Sequence, residues 1–403
     1  MADDTDWETI QGHLPSDWRE LGEEMGLIRE RPGHMGTKIH DLGVALRLVL
    51  HQVASNSSLR ATTGLAAATG VVAIAAVSLH KWMKKLGPYL TMLLARMVNV
   101  AAYAPEKWGG LHIIVADGTT VQRPGSKGTT ARVHYALRLA DMTPRHIDVT
   151  DEHGGETARR FRPEPGEAWL LDRCYANPAG VAVFHERRSH VAVRLNRAGL
   201  PLYDKAGNRI HVMSLLRGTL VREEACQVRA FVHAEDARIA GRLCWLRLPE
   251  DKAAQARRRA VKESEVACDE DTLLAAEFVA VFTTILTELT AAQVLQLYRA
   301  RWQVELEFKR MKSIGDLDRL PNFLPETIHS WICAKLLLQL ISARIANASG
   351  LPEAFPPGGR RFALLPAATD ERDGGTRRRR TLVHRSHHLG RPAPRAAAAG
   401  QAT

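Results

Sequence analysis

The stretch LYRARWQVELEFKRMK, Leu297 to Lys312, carries more information than any other part of this chain. Wound as a helix at about 100° per residue, it sets Tyr298, Arg301, Glu305 and Lys312 on one stripe roughly 60° wide. Leu297, Val304 and Phe308 border the stripe on one side and Trp302 on the other, while Arg299, Gln303, Glu307 and Arg310 form a wet opposite face. A carboxylate, a guanidinium and an ammonium thus stand beside apolar side chains, where an ion is costly to bury unless it is paired or binds something. Two arrangements meet that condition. One is a metal-binding carboxylate flanked by cations that grip phosphate; the other is an i, i+4 salt-bridge ladder on a half-exposed helix.

Two upstream aspartates follow short apolar runs. Leu111 to Ala116, LHIIVA, has the length and branching of a strand covered on both faces, and it stops at Asp117. Gly118, Thr119 and Thr120 then lead to Val121 without starting a helical period, so Asp117 is either a strand-end ligand or a turn aspartate. Trp169-Leu170-Leu171 is a second such run, ending at Asp172, with Pro178 placed to open a helix at Ala179. A surface turn pairing Asp172 with Arg173 or Arg187 is the alternative there.

The spacing Tyr-x2-Arg-x3-Glu-x6-Lys at Tyr298, Arg301, Glu305 and Lys312 resembles the signature of the insertion-sequence-4 family of bacterial DDE transposases. Asp117-Gly118-Thr119 and Asp172-Arg173-Cys174-Tyr175 resemble that family's two upstream landmarks, in the same order. Cys174 departs from the family's usual Gly, which would cost backbone freedom if φ were positive there. The resemblance implies an α/β fold built on an RNase H-like mixed sheet, with Asp117, Asp172 and Glu305 as the catalytic carboxylates. These would bind two Mg²⁺ ions, with Mn²⁺ as a substitute. Arg301 and Lys312 would hold phosphates near the scissile bond, and Tyr298 would reach a phosphate through its hydroxyl. Trp302 would stack on an unpaired base or pack in the core. The implied activity is DNA strand cleavage and strand transfer of an insertion sequence. The implied partners are double-stranded DNA, as terminal inverted repeats and as target, and a second copy of the chain in the DNA complex.

The strand pattern between these points agrees. Ala131 to Ala140 alternates Val133, Tyr135, Leu137 and Leu139 with more polar neighbours, Thr143-Pro144 makes a turn, and His146 to Val149 and His190 to Leu195 read as further strands. The interval from Asp172 to Glu305 is long for such a fold. Arg209 to Met213, Leu220 to Val232 and Arg238 to Leu248 are expected as strands of an inserted mainly-β domain, Pro249 to Lys262 as a basic helix, and Glu277 to Phe282 as a return to the main sheet. The expected organisation is a helical, DNA-end-binding domain at 1–104, catalytic segments at 105–198 and 273–350, an insertion at 199–272 and a disordered tail at 351–403. Within the first domain, Leu59 to Ala68 and Ala73 to Leu86 resemble a helix-turn-helix around Thr69-Gly70. Lys81, Lys84 and Lys85 would face DNA and Val77, Trp82 and Leu86 would pack inward; a plain amphipathic hairpin packed on the catalytic domain predicts much the same sequence. The tail, with Arg377 to Arg380 and Ala396 to Ala399, has the composition of a frameshifted terminus or of a basic phosphate-binding segment, and offers too little apolar surface to fold.

A chain of 403 residues that is 45% hydrophobic can bury a large core, and a net charge of +11 points to a polyanionic partner. Five widely spread cysteines and the isolated pair His387-His388 give neither a zinc-ligand spacing nor a disulfide framework. Residues 1–30 carry scattered charges rather than a signal-peptide apolar run, and the alanine-rich stretch Gly64 to Leu79 is short for a bilayer span. A cytoplasmic, nucleoid-associated protein without a membrane partner is expected. Two competing functions are a catalytically inactive DNA-binding remnant or inhibitor of transposition, and a host RNase H-fold nuclease.

Overall fold

The computed structural model of the chain describes residues 4–28, 39–99, 108–126, 128–222, 224–235, 237–264, 267–321 and 325–348. The tail expected from 351 onward, with His387 and His388, lies outside the described residues. Eight strands form one mixed sheet: β1 (His112–Val121), β2 (Ala131–Arg138), β3 (Pro144–Asp151), β4 (Glu167–Leu171), β5 (His190–Arg194), β6 (Cys226–Ala234), β7 (Ala237–Arg247) and β8 (Phe278–Thr283), in the order β3-β2-β1-β4-β5-β8-β7-β6. β1, β2 and β3 form an antiparallel meander, whereas β4 and β5 lie parallel in a row beside β1. This arrangement is consistent with an RNase H-like sheet. All five residues of β4 are buried, as a parallel strand covered on both faces must be.

The segment 199–272, expected as an inserted mainly-β domain, does something its sequence did not disclose. β6 and β7 are the strands expected near 220–248, yet they extend the central sheet through β8, which also pairs with β5, instead of forming a sheet of their own. Alternation marks a strand but says nothing about its neighbour. Arg209 to Met213 is not a strand. Arg209 makes a single bridge to Tyr203, and the chain then enters the short helix α7 described below.

Helices cover both faces. Preceding the sheet are α1 (Asp4–Gly12), α2 (Trp18–Glu24), α3 (Leu42–Ser55), α4 (Leu59–Ala68) and α5 (Ala76–Asn99); α6 (Pro178–Glu186) and α7 (Val212–Arg217) follow β4 and β5. Then come α8 (Glu250–Glu263), α9 (Glu270–Ala276), α10 (Ala291–Arg299), α11 (Trp302–Ser313) and α12 (Pro325–Ala348). Pro178 opens α6 as expected, with the Asn177 side chain accepting from the Gly180 N–H. Along β1, Ile113 and Val115 face the core shared with α3, α5, α10, α11 and α12, while Ile114 and Ala116 face the core containing Val181 and Phe184 of α6. β4 alternates in the same way, with Ala168 and Leu170 on the first face and Trp169 and Leu171 on the second.

α12 is long and apolar enough to cross a membrane, but here it is a core helix. Trp331, Ile332 and Leu337 are buried, and the equally buried Lys335 donates to the Asn56 side chain and the Gly315 carbonyl. The stretch Leu297 to Lys312 is not one continuous helix. Between α10 and α11 the Ala300 and Arg301 N–H groups reach back only three residues, to the Leu297 and Tyr298 carbonyls at 2.9 and 3.1 Å, which tightens the turn. Arg301 keeps a helical backbone (φ −51°, ψ −29°), so the stripe from Arg301 through Glu305 to Lys312 survives the break.

Candidate active site

The last parallel pair between β1 and β4 is Ala116 with Leu171. Asp117 and Asp172 are the next residue on each strand, so parallel pairing alone delivers both to the same end of the sheet. Their alternation sets them with Val115 and Leu170, on the face covered by α10 and α11. Asp117 does not end its strand, because Gly118 to Val121 remain paired with β2. It marks instead the point where β4 leaves the sheet. The Gly118 N–H donates to Asp117 Oδ1 at 2.8 Å. A Cβ on Gly118 would lie 2.8 Å from Glu156 Oε1, so the missing side chain makes room for a further carboxylate. Beyond Asp172, a single 3-10 turn spans Arg173–Tyr175. Cys174 is not among the positive-φ residues, so Cys in place of the usual Gly imposes no backbone strain.

Arg301 sits among the three carboxylates. Its Nη1 donates to Asp117 Oδ2 at 3.1 Å and its Nη2 to Glu305 Oε1 at 2.5 Å, while its Nε lies 4.0 Å from Asp172 Oδ1. The Arg301 and Asp117 side chains are each 16% exposed, against 35% for Asp172 and 39% for Glu305. Burial pushes the Asp117 carboxyl up to about 6, and the Gly118 N–H and the Arg301 charge pull the other way. Burial also works against the charge on Arg301, but Tyr298, Glu305, Asp172 and Asp117 more than offset it and raise its pKa.

The other stripe residues behave differently. The buried Tyr298 hydroxyl, expected to meet a phosphate, here donates to the Leu171 carbonyl at 3.0 Å and braces the strand end before Asp172. Lys312 Nζ donates to the Thr120 carbonyl at 3.0 Å, beside the far end of β1. Val304, Phe308 and Met311 bury the inner side of α11, and Phe308 meets Tyr135 of β2 edge-on. Trp302 is 49% exposed with Lys309 Nζ 5.8 Å from its ring centroid, which excludes the core alternative for this tryptophan.

The lysines proposed for DNA contact in the N-terminal region sit on α5, in the helical layer. Lys81 is exposed and Lys84 half-buried, whereas Lys85 donates to the Leu27 carbonyl and lies 4.7 Å from the Trp82 ring centroid. Trp82 and Leu86 are buried as expected. Val77 is not; it is 66% exposed, on the same outward face as Lys81 four residues on, while Leu79 in the same turn is buried.

Two charged residues near the site were not singled out by the sequence. Glu156, in an irregular segment, acts electrostatically on Asp117 and hydrogen-bonds Cys174, whose thiol is pushed up mainly by burial. Arg259 of α8 is paired with Glu263 at 2.6 Å and also feels the charge of Glu305. No periodicity marks the first, and the basic run of α8 hides the second.

As they stand, no three His, Cys, Asp or Glu side chains among the described residues converge closely enough to hold a metal ion. Three carboxylates face a guanidinium instead. That donor set is all oxygen and anionic, which suits a hard divalent cation, and a unit positive charge already sits at the point they share. The residues therefore fit such an ion once Arg301 gives way.

Residues 108–340, a span that includes all of these carboxylates together with Arg301 and Lys312, match the family model described as a transposase DDE domain. Along most of its length the chain is also similar to the transposase for insertion sequence element IS421 of Escherichia coli, at 28% identity over 364 residues, covering 87% of this chain and 96% of that protein. The InsL protein of element IS186A of E. coli K12 is 27% identical over 363 residues, with the same coverage. The transposase for element IS231E of Bacillus thuringiensis subsp. finitimus is 23% identical over 376 residues, covering 82% and 77%. DDE transposase domains use divalent metal ions. With an eight-stranded mixed sheet, two aspartates at one end of it and a glutamate helix laid across them, the chain belongs to the DDE transposase family and is a DNA transposase.

Proposed function

We propose that this chain is the transposase of an insertion sequence of the insertion-sequence-4 group, working on an RNase H-like scaffold. It would cut the element's terminal inverted repeats and join their ends to target DNA. The observation that carries this reading is the gathering of Asp117, Asp172 and Glu305 around one guanidinium. These three would hold two Mg²⁺ ions, or Mn²⁺ in their place; when bound, such ions activate water or a 3′-hydroxyl and neutralise the leaving oxygen. Arg301 would then offer its planar fork to a phosphate, and Lys312 a point charge further along the backbone. Tyr298 holds the Leu171 end of β4, which positions Asp172. The exposed ring of Trp302 is suited to stacking on an unpaired base. Lys81 and Lys84 would contact DNA flanking the cleavage point. A homodimer on DNA, in the cytoplasm and at the nucleoid, is part of the same proposal.

Replacing Asp117, Asp172 or Glu305 by Ala should abolish Mg²⁺-dependent strand cleavage while binding to a terminal-repeat duplex stays measurable. Cleavage retained by any of the three variants rejects the assignment. A second reading, a catalytically silent DNA-binding remnant or inhibitor, draws support from the guanidinium lying between the carboxylates. An excision assay of the full chain, and of the chain ended at residue 350, separates the two; the frameshifted-tail idea is tested by looking for the family's further helices encoded in another frame just downstream of codon 350, whose absence rejects it.

A further inference from the structure

Arg301 has all three of its guanidinium nitrogens turned to carboxylates: Nη1 to Asp117, Nη2 to Glu305 and Nε towards Asp172. A guanidinium presents a fixed fork, so it cannot grip these groups and a DNA phosphate in the same pose. Its presence also lowers the charge the triad offers a cation, since three carboxylates and one guanidinium leave two net negative charges where the carboxylates alone would leave three. The residue stands at the break between α10 and α11, with no side-chain cap on α11, so the guanidinium is rooted at a joint instead of in the middle of a rigid helix. Asp172 and Glu305 are each more than a third exposed, so the pocket can be approached from solvent while Arg301 is in it.

We propose that Arg301 is an internal rival of the divalent ions, closing the carboxylate site until a DNA phosphate draws its guanidinium away, so that metal and DNA bind cooperatively. This rests on Asp117, Asp172 and Glu305 being the metal ligands. The consequence is an order of assembly: the enzyme without DNA holds metal poorly, and the loaded site forms only with a phosphate backbone in place. Because coupling between sites is reciprocal, metal must also tighten DNA binding by the factor with which DNA tightens metal.

The test is Mn²⁺ binding, read from the loss of the free-ion electron paramagnetic resonance signal on the full chain, with and without a short mixed-sequence duplex as the phosphate source. Wild type should gain affinity for Mn²⁺ about tenfold when the duplex is added, within the roughly 5–150-fold range usual for coupled sites. Arg301→Gln should bind Mn²⁺ about tenfold more tightly than wild type without DNA, and the duplex should no longer improve it. Arg301→Lys, which keeps the charge but loses the fork, should fall between. Mn²⁺ affinity of wild type that ignores the duplex overturns the proposal, and does so even if Arg301→Gln fails to fold. So does an Arg301→Gln protein with unchanged or weaker affinity, which would make Arg301 an organiser of the site rather than a rival. Asp117→Asn and Glu305→Gln separate the two levels of the argument. If they bind Mn²⁺ like wild type, the metal-ligand reading fails; if they lose it while Arg301→Gln gains nothing, only the rivalry fails.

Discussion

α11 and α5 both set basic side chains beside an apolar face, and the protein uses them in opposite ways. On α11 the charges are collected. Arg301 is drawn into three carboxylates that arrive on two strands and on the helix itself, and Lys312 is tied to a β1 carbonyl. On α5 the charges are left outside. Leu79, Met83, Leu86 and Leu90 are fully buried, Lys81 is exposed, and Lys85 is spent on the Leu27 carbonyl. The difference lies in what faces each helix. α11 lies across the end of parallel strands, where two aspartates converge, whereas α5 packs on α12 and β3 through apolar side chains. A basic residue near a core therefore has chemical meaning only when the opposing element brings charge to meet it.

The largest expected contrast is between Glu305→Ala and Lys81→Ala. The first should lose several orders of magnitude in cleavage rate at every salt concentration, with poor recovery in Mn²⁺, if Glu305 is the metal ligand proposed above. The second should leave the rate at saturating DNA unchanged. Equal defects would break the comparison and make the α11 stripe structural.

Acid should separate the two regions next. His134 on β2 is held to about 4, first by burial and then by Arg160, with its Nε2 3.1 Å from Thr150 Oγ1. Its folded pKa lies below the ordinary value of 6.5, so the unfolded chain takes up the proton more readily. The stability this group contributes is complete above pH 6.5 and is lost as pH falls from 6.5 to about 4, by about 3 kcal/mol. Denaturant unfolding across that window should show the loss in wild type, and His134→Gln should flatten it; an unchanged slope in the variant would assign the acid lability elsewhere.

Tyr298→Phe should cost about 1–2 kcal/mol in unfolding free energy, because the Leu171 carbonyl is left buried without its donor. If Tyr298 were mainly a phosphate ligand, stability would hold and only DNA affinity would fall. Lys312→Ala should weaken DNA binding several-fold at low salt and reduce the slope of log K against log salt by about one contact. The smallest effects belong to α5. Lys81→Ala should remove at most one phosphate contact, and Lys85→Ala should shift the melting temperature slightly without changing the salt slope. Should Lys85 alter that slope as much as Lys312, the distinction between collected and exposed charge would have to be redrawn.

The sequence by itself located most of the strands, because periodicity is local, although it also offered Arg209 to Met213, where the chain makes one bridge and then a helix. Six of the eight strands fall within two residues or so of where apolar runs or alternation place them, while β1 runs about five residues past its expected end and β6 starts about six residues late. It also determined that Arg301, Glu305 and Lys312 share a helical stripe, since that follows from spacing alone. It could not determine what stands opposite them. That Asp117 and Asp172 are neighbours depends on β1 and β4 pairing in parallel. That β6 and β7 widen the main sheet depends on β8 accepting β7. Arg301 meets Asp117 across 184 positions of chain, and Lys312 meets Thr120 across 192. The inward-turned Tyr298 hydroxyl, the Glu156 carboxylate filling the space beside Gly118, and the guanidinium inside the triad are likewise pairwise facts. A residue's own pattern reports whether it lies against a core or against water. Which partner satisfies a buried charge is set by strand pairing and helix packing between distant segments, and only the folded chain brings those together.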